Sequence, residues 1–195
     1  MEALTVARAS LRENLITAAV EQFHIHGYAA ASVKDITDAS GAAKGSFYNH
    51  FESKEALAVV ALERYGAGRR LETLRDNSVA PLTRLRQHFE FLRDENIDTE
   101  FNRGCLVGDL AVEVADHSEA VRESVRQSQE TWADALASAI AEAQQAGDVS
   151  KALEPTTLAR FVLSAWEGAL IAARADRSPR AFEVFFTVVF GQILR

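Results

Sequence analysis

The chain has 195 residues, 48% of them hydrophobic and 25% charged, which fits a folded globular protein with a substantial core and excludes a disordered or fibrous one. No apolar run is long enough to span a bilayer, and the opening MEALTVARASLRENL lacks the apolar segment of a secretory leader. With a single cysteine, Cys105, there is no intrachain disulfide framework, so a cytoplasmic protein with no membrane partner is expected. The net charge of −7 argues against a nucleic-acid binder, except that residues 1–70 carry eight Lys/Arg and eight Asp/Glu, so all the excess acidity lies beyond them.

In chain order the elements all read as helices. Leu11, Leu15, Ile16, Ala19, Val20 and Phe23 recur at three- and four-residue spacing and predict a first helix over about residues 6–25, capped by Gly27. Ser32-Val33-Lys34-Asp35 has the form of a capping box with a short acid, opening a second helix that ends near Ser40. Gly41-Ala42-Ala43 reads as a tight turn, and Lys44 to His50 as a third short helix. Ser53 caps a fourth helix, from Lys54 to about Arg75. Pro81 starts a fifth, reaching about Asn96, and residues 97–104 form a polar loop.

A sixth helix is expected over about 105–115. Ser118 begins a long seventh with Val121, Val125, Trp132, Leu136, Ala139 and Ala143 on one face, ending at Gly147. Pro155 and Pro179 start the eighth and ninth. The fold class is all-α, about nine helices, with no strand pattern.

The segment from Ser32 to Phe51 has the anatomy of a helix-turn-helix. Its second helix carries Lys44, Ser46, Tyr48, Asn49 and His50 as hydrogen-bonding groups, and Phe47 and Phe51, four apart, as inward anchors. Gly45 lowers helix propensity and leaves room for another backbone or a base edge. Such a composition suits a surface that reads something.

The run LITAAVEQFHIHGYAAASVKDITDASGAAKGSFYNHFESKEAL, within residues 15–62, resembles the N-terminal domain of the tetracycline-repressor (TetR) family of bacterial regulators. That resemblance implies a three-helix DNA-binding domain over residues 1–52 and an effector-binding and dimerisation domain over 53–195. It implies that Lys44, Gly45 and Ser46 face the major groove, and that Ser32, Tyr48, His50 and Lys54 contact phosphates. Asn49 joins them as a base-reading residue, and Ala43 offers only an apolar contact.

The implied partners are double-stranded palindromic operator DNA, a second copy of the chain and a small-molecule effector, without metal or other cofactor. On this reading the chain is no enzyme but a repressor released from its operator by the effector.

In the eighth helix Ser164, Gly168 and Ala172 stack four apart, and the ninth carries Phe182, Phe186, Val189 and Phe190 over much of its girth. Together they predict a dimer face. Phe89, Phe91, Trp132 and Trp166, with Asp109, Glu113 and His117, are candidates for lining an effector pocket. Cys105 admits two readings. At the start of the sixth helix the amides favour a thiolate, and Asn-Arg-Gly-Cys-Leu resembles a subgroup of the family in which such a cysteine senses electrophiles or oxidants. It can equally be a small buried hydrophobe. Two rival readings are an enzyme, disfavoured because Glu-x-x-His pairs on facing helices and a phosphate loop are both lacking, and a helical adaptor that has lost DNA binding.

Overall fold

The computed structural model describes residues 2–195, and the side chains of residues 11–43 and 45–195. Among the described residues the chain forms nine α-helices and no strand: α1 (Glu2–His26), α2 (Val33–Ser40), α3 (Lys44–Phe47), α4 (Lys54–Ala67), α5 (Pro81–Asp98), α6 (Leu106–Glu113), α7 (Glu119–Ala146), α8 (Pro155–Asp176) and α9 (Arg180–Val188). The expected all-α class is what forms. The helices gather into two compact units. One holds the chain up to Gly68 together with Leu106–Ser128, and the other holds Arg69–Cys105 together with Gln129–Arg195.

In the first unit Leu15, Ile16, Ala19 and Phe23 of α1 are buried with Ile36, Phe47, Leu57, Ala58, Ala61 and Leu62. Removing such large side chains from water stabilises the unit by about 1.5–3 kcal/mol apiece. Helix α1 stops because Gly27 takes φ 78°, a left-handed conformation, while its N–H still donates to the Phe23 carbonyl at 2.9 Å. A side chain at Gly27 would be strained at this φ, and its Cβ would stand 2.7 Å from the Glu113 carboxylate of α6, which would have to shift. That carboxylate accepts the Ala29 N–H at 2.9 Å, which ties the end of α1 to the end of α6.

The capping box of α2 is complete despite the short acid. The Asp35 N–H donates to Ser32 Oγ at 3.2 Å and the Ser32 N–H to Asp35 Oδ2 at 2.9 Å. Gly41, at φ 70°, ends the helix.

Several helix ends differ from the sequence expectation. Helix α1 begins at Glu2 rather than near residue 6. Helix α4 stops at Ala67, not Arg75, because Gly66 and Gly68 weaken its last turn and Arg70 adopts φ 53°; the chain resumes as a 3₁₀ turn, Leu71–Arg75. Helix α5 runs two residues past Asn96, and the turn after it places Glu100 and Phe101 at φ 53° and 60°. Helix α3 is a single turn, followed by i→i+3 bonds from Asn49 and His50 to the carbonyls of Ser46 and Phe47. Helix α9 widens into a π turn over Val189–Ile193.

In the second unit the rings of Phe89, Trp166, Phe182 and Phe185 interlock with centroids 5.0–5.2 Å apart. The Trp132 indole N–H donates to His88 Nε2 at 3.0 Å, joining α7 to α5. Burial, reinforced by the Arg69 charge, holds His88 down to about 4, so it is neutral at pH 7. The buried Arg84 donates to the Leu74 carbonyl at 3.0 Å and pairs with Glu142. No helix among the described residues is long and apolar enough to cross a membrane.

Candidate nucleic-acid interface

The helix-turn-helix is built on a small aromatic pedestal. Phe47 is fully buried and Phe51 nearly so, their rings 5.8 Å apart, and Arg12 of α1 lies 5.2 Å over the Phe51 ring. With that face of α3 turned inward, Gly45 and Tyr48 and the following Asn49 face outward, and Tyr48 is 61% exposed. The Tyr48 ring meets Phe47 edge-on at 5.1 Å, which steadies an otherwise free phenol. Ser46 Oγ donates to the Ala43 carbonyl at 2.6 Å, back onto its own turn. His50 is half-buried beside it. The expectation for the Lys44 side chain lies outside the described residues; its backbone opens α3.

A Cβ on Gly45 would find no atom of the chain within 4 Å. The glycine costs a one-turn helix about 1 kcal/mol relative to alanine, and nothing inside the protein requires it. The space beside its backbone is open to the outside of the chain.

Two residues assigned to phosphates have internal tasks. Ser32 Oγ donates to Asp35 at 2.6 Å within the capping box, although the residue is exposed. Lys54 is more committed. Its ammonium donates to the carbonyls of Tyr28 at 2.8 Å and Ala31 at 3.1 Å and lies 4.0 Å over the Tyr28 ring. Partial desolvation lowers its pKa, and the same setting pushes the Tyr28 phenol up to about 12, chiefly by burial and then by Glu55. Lys54 thus holds the loop that presents α2, a task for which Lys54-Tyr28 spacing in the sequence gives no signal.

The candidate pocket residues are divided between the two units. Phe89 and Trp166 are fully packed core rings of the second unit, and Trp132 meets the His88 ring, which in turn meets Phe89. Asp109 belongs to the first unit with Glu113, whose carboxylate accepts the Ala29 N–H. Cys105 is buried, the place of a small hydrophobe, just ahead of α6.

The dimer candidates divide by face. Ser164 and Gly168 are exposed on α8 and Ala172 half-exposed, in register with Phe161 and Ile171. Phe182, Phe186 and Val189 instead fill the protomer's own core, and Phe190 sits half-buried, stacked 5.8 Å from Phe186. The outward apolar positions of α9 are Val184 and Val188, 57% and 43% exposed, which border an apolar groove with Phe161, Ala165 and Ala169. In α9 the bulkiest residues mark the inward face and the smaller valines the outward one. Counting aromatic rings therefore selects the inward side of α9 rather than its exposed one.

Such a construction, a glycine-bearing one-turn helix on a buried base joined to a helical second unit, defines a helical DNA-binding regulator. Residues 15–61 match the family described as bacterial regulatory proteins, tetR family, and residues 81–189 match the tetracyclin repressor-like C-terminal domain. The chain is 35% identical to the HTH-type transcriptional repressor DhaR of Mycobacterium sp. (strain GP1), covering 97% of this chain and 95% of that protein. It is 33% identical to the transcriptional regulator AcuR of Cereibacter sphaeroides, covering 92% and 83%. The crystal structure of a regulatory protein TetR from Rhodobacter sphaeroides superposes with a TM-score of 0.86 at 32% identity, over 94% of this chain and 98% of that one. The chain belongs to the TetR family of transcriptional regulators, and its activity is binding DNA rather than catalysis.

Proposed function

We propose that two copies of this cytoplasmic chain clamp a palindromic operator, repress transcription from it, and let go when a small molecule binds the C-terminal region. Residues 1–52 read the DNA, and residues 53–195 bind the effector and pair the copies. The exposed, glycine-bearing face of α3 carries this reading: Gly45 and Ser46 approach base edges, Asn49 discriminates among them, and Tyr48 and His50 position the protein on phosphates. Lys44 is assigned to the groove from the family motif. Ser32 and Lys54 contribute through the α2 cap and the Tyr28–Ala31 loop, with any phosphate contact secondary.

Repression is favoured because DhaR, 35% identical over nearly the whole chain, is named a repressor. Pairing through α8 and α9 supplies the two-fold symmetry that sets recognition helices about 34 Å apart, one turn of DNA. An effector that binds one conformer more tightly then shifts this spacing, since equal affinity for both would shift nothing.

Titrating the purified chain on duplexes from its own upstream region tests the reading. Affinity that falls steeply with added salt and requires both half-sites is expected. Weak binding that ignores both salt and sequence overturns it.

A further inference from the structure

A cavity of about 210 Å³ lies inside the second unit, between the 3₁₀ turn and α5, walled by Arg70, Thr73, Arg84, Gln87, His88 and Phe91. Its wall holds N–H and O–H donors and no carboxylate. Two of those donors are buried without an acceptor. An indole N–H can only donate, so the His88 Nε2 that meets Trp132 at 3.0 Å bears the lone pair, and the proton of the neutral ring sits on Nδ1. That N–H has no acceptor among the described residues, although His88 is only 2% exposed.

Arg84, equally buried, commits Nη1 to the Leu74 carbonyl and Nη2 to Glu142, which leaves its Nε–H without a partner. Buried donors left unmade are costly, and a wall that keeps two of them is shaped for acceptors that arrive from outside.

The charge points the same way. Glu142 balances Arg84, and Glu95 balances the neighbouring Arg69. Arg70 forms no ion pair among the described residues; its guanidinium lies 4.3 Å over the Phe91 ring. The wall thus retains one uncompensated, forked cation beside an aromatic face. A carboxylate meets a guanidinium in plane and Phe91 offers an apolar wall to a carbon skeleton. The volume is below the roughly 300–1,000 Å³ of pockets for drug-sized ligands, which favours a small acid over a nucleotide or a long chain.

We propose that this cavity binds a small organic carboxylate, and that such an acid is the effector class of this regulator. The effector role rests on the reading of residues 53–195 given above; the binding site itself stands on the cavity.

The full chain is titrated with benzoate, with benzamide as the neutral look-alike and with inorganic phosphate, by calorimetry and by the ¹⁵N resonance of His88 Nδ1. Saturable one-to-one binding of benzoate alone, with movement of the His88 signal, is expected. Arg70→Met, at an exposed position, should keep the melting temperature and weaken benzoate at least about tenfold. Absence of binding, a stationary His88 signal, equal binding of benzamide, preference for phosphate, or an affinity untouched by Arg70→Met overturns the site.

Operator affinity without acid reports on DNA reading separately and can fail while the cavity fills. In benzoate-saturated protein, operator affinity lowered about tenfold or more supports the effector role, and unchanged affinity overturns that role.

Discussion

Gly45 and Lys54 separate two kinds of importance at the scale of a single residue. A methyl at Gly45 meets open space in the free protein, so Gly45→Ala should raise the melting temperature slightly, by up to about 1 kcal/mol of stability, while weakening operator binding. Thermal melts alongside operator titrations check it, and a variant that loses stability and DNA affinity together contradicts the assignment.

Lys54→Met removes the donor to two loop carbonyls and should cost about 1–3 kcal/mol of stability. The slope of log affinity against log salt should fall by much less than one, which is the loss a direct phosphate contact would produce. The motif around Gly45 was legible because residue types in order carry it. The work of Lys54 was not, because a lysine at a helix start looks the same whether it faces water or two carbonyls 23 and 26 positions away.

At the scale of elements, the join of α5 to α7 depends on one uncharged imidazole. His88 has its pKa lowered to about 4 from an ordinary 6.5, so as pH falls the unfolded chain takes up this proton before the folded one. The stability held by the neutral ring is whole above about pH 6.5 and is lost as pH drops towards 4, by on the order of 3 kcal/mol. Chemical denaturation across that range should show the loss, and His88→Phe should abolish this share of it. The identities of α1 and α7 followed from apolar spacing, and those of most other helices from caps, turns and prolines. Helix ends were less legible where backbone conformation decides them, as at Arg70, whose left-handed φ no arginine advertises.

For the whole molecule, the prediction concerns pairing. Val184→Asp combined with Val188→Asp places charge on exposed apolar positions of α9 and leaves the buried Phe182, Phe185 and Phe186 untouched. The double variant should keep its helical signal and most of its thermal stability, yet sediment as a monomer. Its affinity for a two-half-site operator should drop by at least about a hundredfold as the avidity of two reading heads is lost. A variant that remains a dimer places the pairing surface elsewhere. The sequence offers α8 and α9 for the proposed pairing, but not which side of α9 stays outside the core, because a helix apolar on both sides does not say which one its own core claims.

The bond from the Ala29 N–H to the Glu113 carboxylate joins two positions 84 residues apart. Whatever displaces α6 has only two courses open to it: drag the corner where α1 gives way to α2, or snap a charge-assisted tether of roughly 1.5–3 kcal/mol, less where solvent screens it. Either course alters the seating of the helix-turn-helix. A side chain at Gly27 would push that carboxylate aside, so a substitution there disturbs the tether as well.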